Sequence, residues 1–315
     1  LNSGRDSVDL IAGGAYAKGL EVARILYYTE GESADYAQAV GEDALIEEYG
    51  DFTPYEGDRH KKCLSGVINI YREYFNNYPF EFDTFEPVEL EDGKRAIEYP
   101  FAIELPYLHP ELGIPLHFVG RFDMLVEFRG QLYGLDDKTK SGYLTQQQKS
   151  ADETYQALRA AGRGKGTEEP SWATRGQFTA YAWAMQKLGF ELDGFLVREA
   201  WFHSQSTYTH RQVFTQRRQS QIDAWEKQLY RQVEQMITKY NQVLDGEPTS
   251  DAYDMANESS ICVSYGRACP FTEFCSGEIG EQYLEDRFEQ SVWIPEEARR
   301  VSLEDYIESI VGGLS

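Results

Sequence analysis

The stretch Gly120–Lys140, GRFDMLVEFRGQLYGLDDKTK, decides the fold. Apolar and polar residues alternate on both sides of Arg129-Gly130, the pattern of two half-buried strands joined by a two-residue hairpin turn. Counting outward from that turn, Phe128 faces Gln131 and, five steps further, Asp123 faces Asp136. Opposed side chains on one face of a hairpin have Cβ atoms about 4.5–5.5 Å apart, and like charges there destabilise the sheet. A hard divalent cation such as Mg²⁺ or Mn²⁺, held between carboxylate oxygens, removes the conflict. Lys138 lies two residues beyond Asp136 and therefore shares its face. Asp137 points the opposite way, with its backbone carbonyl within reach of the same ion. The competing account of this spacing is an exposed hairpin with solvated charges.

The rest of the chain supplies a frame for such a hairpin. Residues 13–49 carry helical periodicity, with Leu20, Ala23, Ile25 and Leu26 on one stripe and a polar break before ALIEEY. A second helix is expected over Cys63–Tyr78, with Val67, Ile70, Tyr71 and Phe75 on its buried side. From Pro87 to Thr139 the period changes to two, giving strands in PVELE, AIEYPFAIELPY, PLHFVGRFDMLVEF and QLYGLDDKT. A polar, glycine-containing stretch over 141–170 reads as an inserted loop. Arg175–Gly189 reads as a helix ending at glycine, GFLVREAWFH and TYTHRQVFT as a hairpin, and Arg217–Val243 as a long amphipathic helix. Helices flanking a central mixed β-sheet define an α/β (α+β) core. Three regions are expected: a helical region over 1–86, the core over 87–245, and a cysteine-rich segment with an acidic tail over 246–315.

The 315 residues carry a formal charge of −23, which taken alone opposes a nucleic-acid partner. The distribution is uneven. Between Lys138 and Arg231 there are 14 Lys and Arg against 9 Asp and Glu, so a basic middle sits inside an acidic remainder. No apolar run approaches the roughly 20 residues that span a bilayer, and no leader pattern opens the chain, so a cytoplasmic protein without membrane contact is expected. No Walker loop or G-x-G-x-x-G is present, which argues against an ATP-driven motor. The five histidines, His60, His109, His117, His203 and His210, form no H-x3-H pair, which argues against a histidine-built zinc hydrolase. His117 precedes Asp123 by an even step, so it is either on the metal face or a plain strand histidine. Four cysteines, Cys63, Cys262, Cys269 and Cys275, are spaced for metal binding rather than for disulfides.

Asp123 followed by Asp136-Asp137-Lys138-Thr139 resembles the PD-(D/E)XK nuclease superfamily, and within it the RecB-like exonuclease branch. That branch shows a G-x-x-D strand, here Gly120-Arg121-Phe122-Asp123, then D-x-K-T, and then a Q-x-x-x-Y helix, matched by Gln177 and Tyr181. Its opening helix has the form G-x-x-x-H-x-x-L-E, matched by Gly13 to Glu21 except that Ala17 stands at the metal-ligating histidine position. The resemblance implies a restriction-endonuclease-like core and a metal-dependent deoxyribonuclease acting on DNA ends. Asp123 and Asp136 are then ligands, the Asp137 carbonyl and Glu21 further candidates, Lys138 the catalytic cation, and Gln177 and Tyr181 positioners of the scissile strand. Single-stranded DNA is a favoured substrate on this reading, with phage recombination, repair or CRISPR-type defence as the setting and a partner protein from that setting. A DNA-end-binding subunit without turnover, supported by Ala17, and a sequence-specific endonuclease are the alternatives.

Members of the same branch join their two ends with a [4Fe–4S] cluster, one cysteine upstream of the core and three near the C-terminus. Cys63, Cys262, Cys269 and Cys275 follow that layout, with tetrahedral zinc as the alternative occupant. Arg175, Arg211, Arg217 and Arg218 are candidate phosphate contacts. Trp172, Phe178 and Trp183 are candidates for base stacking, the last two with a competing role in the core.

Overall fold

The computed structural model describes residues 7–54, 56–90, 93–142, 172–204, 207–247, 263–264, 267–268 and 272. Five α-helices are described: α1 (Val8–Tyr28), α2 (Ala34–Tyr49), α3 (Leu64–Asn77), α4 (Gly176–Lys187) and α5 (Gln219–Leu244). The strands are β1 (Glu86–Pro87), β2 (Ile97–Leu108), β3 (Pro115–Phe128), β4 (Gln131–Ser141), β5 (Gly194–Phe202) and β6 (Tyr208–Thr215), with a small separate pair, β7 (Val263–Ser264) and β8 (Arg267–Ala268). Periodicity thus placed every long element within a few residues. The first helical stretch is two helices, because Gly31 takes a left-handed φ of 75° and Ser33 starts a new helix by accepting the Tyr36 amide.

The sheet runs β1-β3-β4-β5-β6, with β2 also paired to β3. Neighbours are antiparallel except β4 and β5, which are parallel and enclose α4 in their crossover. The β3–β4 hairpin keeps the expected register, from Phe128 opposite Gln131 to Met124 opposite Leu135. Its turn is type I′, with left-handed φ values of 53° at Arg129 and 76° at Gly130. Arginine is an unusual first residue for that turn, and its guanidinium lies 4.8 Å over the Phe128 ring.

Alternation along β5 assigns the two faces. Ala200 and Phe202 pack with α1, α2 and α3, whereas Phe195 and Val197 pack with α4 and α5. Helices α1 and α2 cross closely at Gly19 and Gly41, where a Cβ on Gly41 would lie 2.6 Å from the Gly19 carbonyl oxygen. Among the described residues no helix is long and apolar enough to cross a membrane.

Candidate active site

Beyond Met124–Leu135, the next step of the β3–β4 register brings Asp123 opposite Asp136. The Asp137 amide donates to Asp123 Oδ2 at 3.0 Å, which locks the two strands together at this point. The parallel pairing of β4 with β5 sets Asp136 and Lys138 beside Val197 and Glu199 on the α4 face, and Asp137 beside Arg198 on the α1 face. Asp136 is 2% exposed. Its Oδ1 accepts from Gln177 Nε2 at 3.1 Å, and its Oδ2 lies 2.6 Å from Lys138 Nζ. Gln177 Nε2 is also 3.1 Å from the Tyr181 hydroxyl, which in turn donates to the Arg121 carbonyl at 2.8 Å. Gln177 and Tyr181 share one turn of α4, so a single helical face touches both strands of the aspartate hairpin. These five expected side chains therefore come together.

The electrostatics follow from burial. Loss of water, with the Asp123 charge added, pushes the Asp136 carboxyl up to about 8 against the pull of Lys138. Burial works against the Lys138 ammonium, yet Asp136 and Asp123 hold its pKa above the ordinary lysine value. Burial also raises Tyr181 to about 12, with Asp123 reinforcing the shift. On the other face, burial raises Asp137 in opposition to Arg24, whose Nη2 stands 2.7 Å from Asp137 Oδ2. That guanidinium also donates to the Tyr74 hydroxyl at 2.6 Å, tying α1 to β4 and to α3.

A cleft of about 520 Å³ opens at the carboxyl end of β4. Asp123, Lys138, Thr139 and Lys140 line one wall, Gly13, Tyr16 and Ala17 of α1 another, with Arg175 at the side. Ala17 thus stands in the cleft, at the place the opening-helix pattern assigns to a histidine. Glu21, one turn on, is buried and paired with Lys18 at 3.3 Å. Arg175 stacks on Trp172 at 4.8 Å.

The structure gives the remaining candidates the following places. Trp172 cannot stack on a base: it is 1% exposed, and its Nε1 donates to the buried Glu199 at 2.8 Å. Phe178 and Trp183 are core residues. Arg217 is an internal connector, donating to Thr179, Thr215 and the Trp172 and Arg175 carbonyls. Arg218 caps α5, and Arg211 lies 5.4 Å from the Trp201 ring. His117 is exposed beside the Pro115 carbonyl and opposite Glu104, the plain strand position. Cys63 is a buried thiol at the start of α3, 3.2 Å from Ser65 Oγ. Cys262, Cys269 and Cys275 lie outside the described residues.

Sequence reasoning overlooked Glu98. Between the pairs Ile97–Met124 and Tyr99–Phe122, Glu98 falls opposite Asp123, so that Glu98, Asp123 and Asp136 form a row across three strands. Its φ of 48° is left-handed. Burial raises its carboxyl well above the usual range, and Asp123 and Glu21 add to the shift. The signal was a lone carboxylate inside the apolar run AIEYPF.

The donor chemistry suits a hard divalent ion, since the convergent atoms are carboxylate and carbonyl oxygens. Among the described residues no three His, Cys, Asp or Glu side chains stand close enough to enclose one in the present arrangement. The positive charge of Lys138 lies against Asp136 Oδ2, an otherwise unpartnered buried oxygen.

No curated protein matches this sequence. The family model described as the PD-(D/E)XK nuclease superfamily matches residues 24–276, a span that holds both aspartates, the lysine and the Gln177–Tyr181 helix and begins after the Ala17 turn. Members of that superfamily are nucleases that typically use Mg²⁺ or Mn²⁺, and DNA is the substrate membership implies. With its mixed sheet, flanking helices and Asp-Asp-Lys cluster, the chain belongs to the PD-(D/E)XK nuclease superfamily.

Proposed function

We propose that this chain is a metal-dependent exonuclease that hydrolyses phosphodiester bonds at DNA ends, with single-stranded DNA as substrate. The observation that carries the reading is buried Asp136, braced by Gln177 and paired with half-buried Lys138, with Asp123 across the hairpin and an open cleft beside them. Asp123, Asp136 and the Asp137 carbonyl are the groups that would hold a divalent cation. When bound, such an ion polarises the phosphate and lowers the pKa of water. Lys138, 2.6 Å from Asp136 Oδ2, would orient the attacking water and offset the negative charge that builds on the phosphoryl oxygens. Gln177 fixes the Asp136 carboxylate by its hydrogen bond, so the ligand oxygen does not rotate away. Tyr181, held above the usual phenol range, stays protonated and keeps its bond to the Arg121 carbonyl. Glu21 is buried one turn from Ala17, and its charge adds to the upward shift of Glu98, which suits a supporting carboxylate.

The cysteine layout supports a [4Fe–4S] cluster joining Cys63 to the C-terminal segment, with zinc as the other candidate. A brown colour and iron analysis of protein purified without oxygen decide between them. Phage recombination, DNA repair and CRISPR-type defence are the settings that fit this reading.

Digestion of end-labelled linear single- and double-stranded DNA in Mn²⁺ or Mg²⁺ tests the central point. Metal-dependent loss of label by the wild type, abolished in Asp136→Ala, is the expected result. One observation favours a second reading: Ala17 lines the cleft where a histidine ligand is expected. If wild type and Asp136→Ala are equally inert in both metals while DNA ends are still bound, the chain is a DNA-end-binding subunit instead.

A further inference from the structure

Arg121 stands two residues before Asp123 on β3, so its side chain leaves the strand on the same face. Glu98 Oε2 grips its Nε at 2.7 Å. Its two terminal Nη groups have no partner among the described residues. Arg121 is 35% exposed, whereas the Glu98 carboxylate that holds it is 12% exposed. The backbone is fixed as well, because Tyr181 donates to the Arg121 carbonyl. A guanidinium secured through Nε presents its remaining Nη edge as a rigid fork, the geometry that suits phosphate oxygens.

Other cations near the site are committed elsewhere. Lys62 pairs with Asp9, Lys140 with Glu199, Arg24 with Asp137, and Arg198 with Asp83. The Arg175 guanidinium lies 4.8 Å over the Trp172 ring. Among the described residues beside the aspartate pair, Arg121 is a guanidinium held through Nε with its Nη edge uncommitted.

We propose that Arg121 binds a backbone phosphate of the nucleic-acid strand next to Asp123, and that Glu98 is the positioning residue that holds its guanidinium in place. The proposal rests on the nuclease reading and adds to it a phosphate contact carried by β3 beside the aspartate pair. It also gives the Gln177–Tyr181 face a second role, since besides bracing Asp136 that face anchors the strand segment carrying the phosphate contact.

The test is fluorescence anisotropy of a fluorescein-labelled single-stranded oligonucleotide in EDTA, across a salt series, with wild type, Arg121→Gln, Arg121→Lys, Glu98→Gln and the Glu98→Gln/Arg121→Gln double variant. Arg121→Gln is expected to lower affinity about tenfold, as for one charge-assisted hydrogen-bonded contact, and to reduce the salt slope by about 0.7, the value for one phosphate on a single strand. Arg121→Lys keeps the slope but loses affinity, because the charge survives and the fork does not. Glu98→Gln lowers affinity through Arg121, so the double variant binds no more weakly than Arg121→Gln alone. A merely structural Glu98 would lower the melting temperature and leave affinity and slope untouched, which overturns its assigned role. An Arg121→Gln affinity and slope equal to wild type, in protein that still cleaves in Mn²⁺, overturns the phosphate contact and leaves the nuclease reading standing. Wild type that neither binds nor cleaves overturns both. Should Arg121→Gln fail to fold by circular dichroism, Arg121→Lys decides: wild-type affinity there overturns the contact.

Discussion

Removing Arg24 tests whether the first helix is fastened to the site by a buried charge pair. Arg24 and Asp137 side chains are 4% and 3% exposed and stand 2.7 Å apart. Taking away one partner of a buried pair leaves the other uncompensated, at about 3–5 kcal/mol. Here Arg198 also acts on Asp137, so Arg24→Met is expected near the lower end, about 3 kcal/mol. Asp137→Asn should cost a similar amount, because it leaves Arg24 facing Tyr74 alone. The double variant Arg24→Met/Asp137→Asn removes both charges and should be far milder than the sum of the singles, a coupling of at least about 2 kcal/mol. Urea unfolding of the four proteins, compared at equal m-value, measures this. Costs that simply add, or single-variant losses below about 1 kcal/mol as for an exposed pair, would refute the buried clamp. Because α1 brings Tyr16 and Ala17 to the cleft, nuclease activity should fall with helix docking in the singles.

Other expectations concern packing, a histidine and a tryptophan. Gly41→Ala sets a Cβ against the Gly19 carbonyl at 2.6 Å and should destabilise by about 1–3 kcal/mol. Gly14→Ala, with nothing nearer than 3.8 Å, should instead stabilise by about 0.5–1 kcal/mol; thermal melts of both check the contrast. Burial lowers His210 to about 4, and Arg198 adds to that while the Ile70 backbone and Glu73 oppose it. Its folded pKa lies below the unfolded value of about 6.5, so the unfolded chain binds more protons between the two. Stability is fully present above about 6.5 and lost as pH falls toward 4, by up to about 3 kcal/mol. His210→Phe should flatten the slope of urea stability against pH across that window, and an unchanged slope would count against the assignment. Trp172→Phe deletes a hydrogen bond to buried Glu199 and should cost about 1–3 kcal/mol. Single-stranded DNA affinity of the folded variant should stay at the wild-type level, since a buried indole contacts no base; a large loss would restore Trp172 as a stacking residue.

Local chemistry made much of this protein legible in the sequence. Strand alternation around Arg129-Gly130 set the hairpin register, because a one-residue slip would turn Phe122 and Met124 out of the core. That register alone brings Asp123 opposite Asp136 and puts Lys138 on the same face, and i,i+4 spacing pairs Gln177 with Tyr181. What tertiary structure decided are relations between distant segments. Trp172 looks like a base-stacking residue until the fold sets Glu199, 27 residues away, against its indole nitrogen. Arg217 looks like a surface cation until the fold brings Thr179, Thr215 and the Trp172 and Arg175 carbonyls to its guanidinium. Glu98 and Arg121 lie 23 positions apart in sequence, and only the β2–β3 pairing makes them partners. Sequence pattern records the period of a single element and the spacing across one turn. Which charges meet across packed elements depends on how those elements dock, and that was decided by burial of apolar side chains on the two faces of the sheet rather than by any local signal.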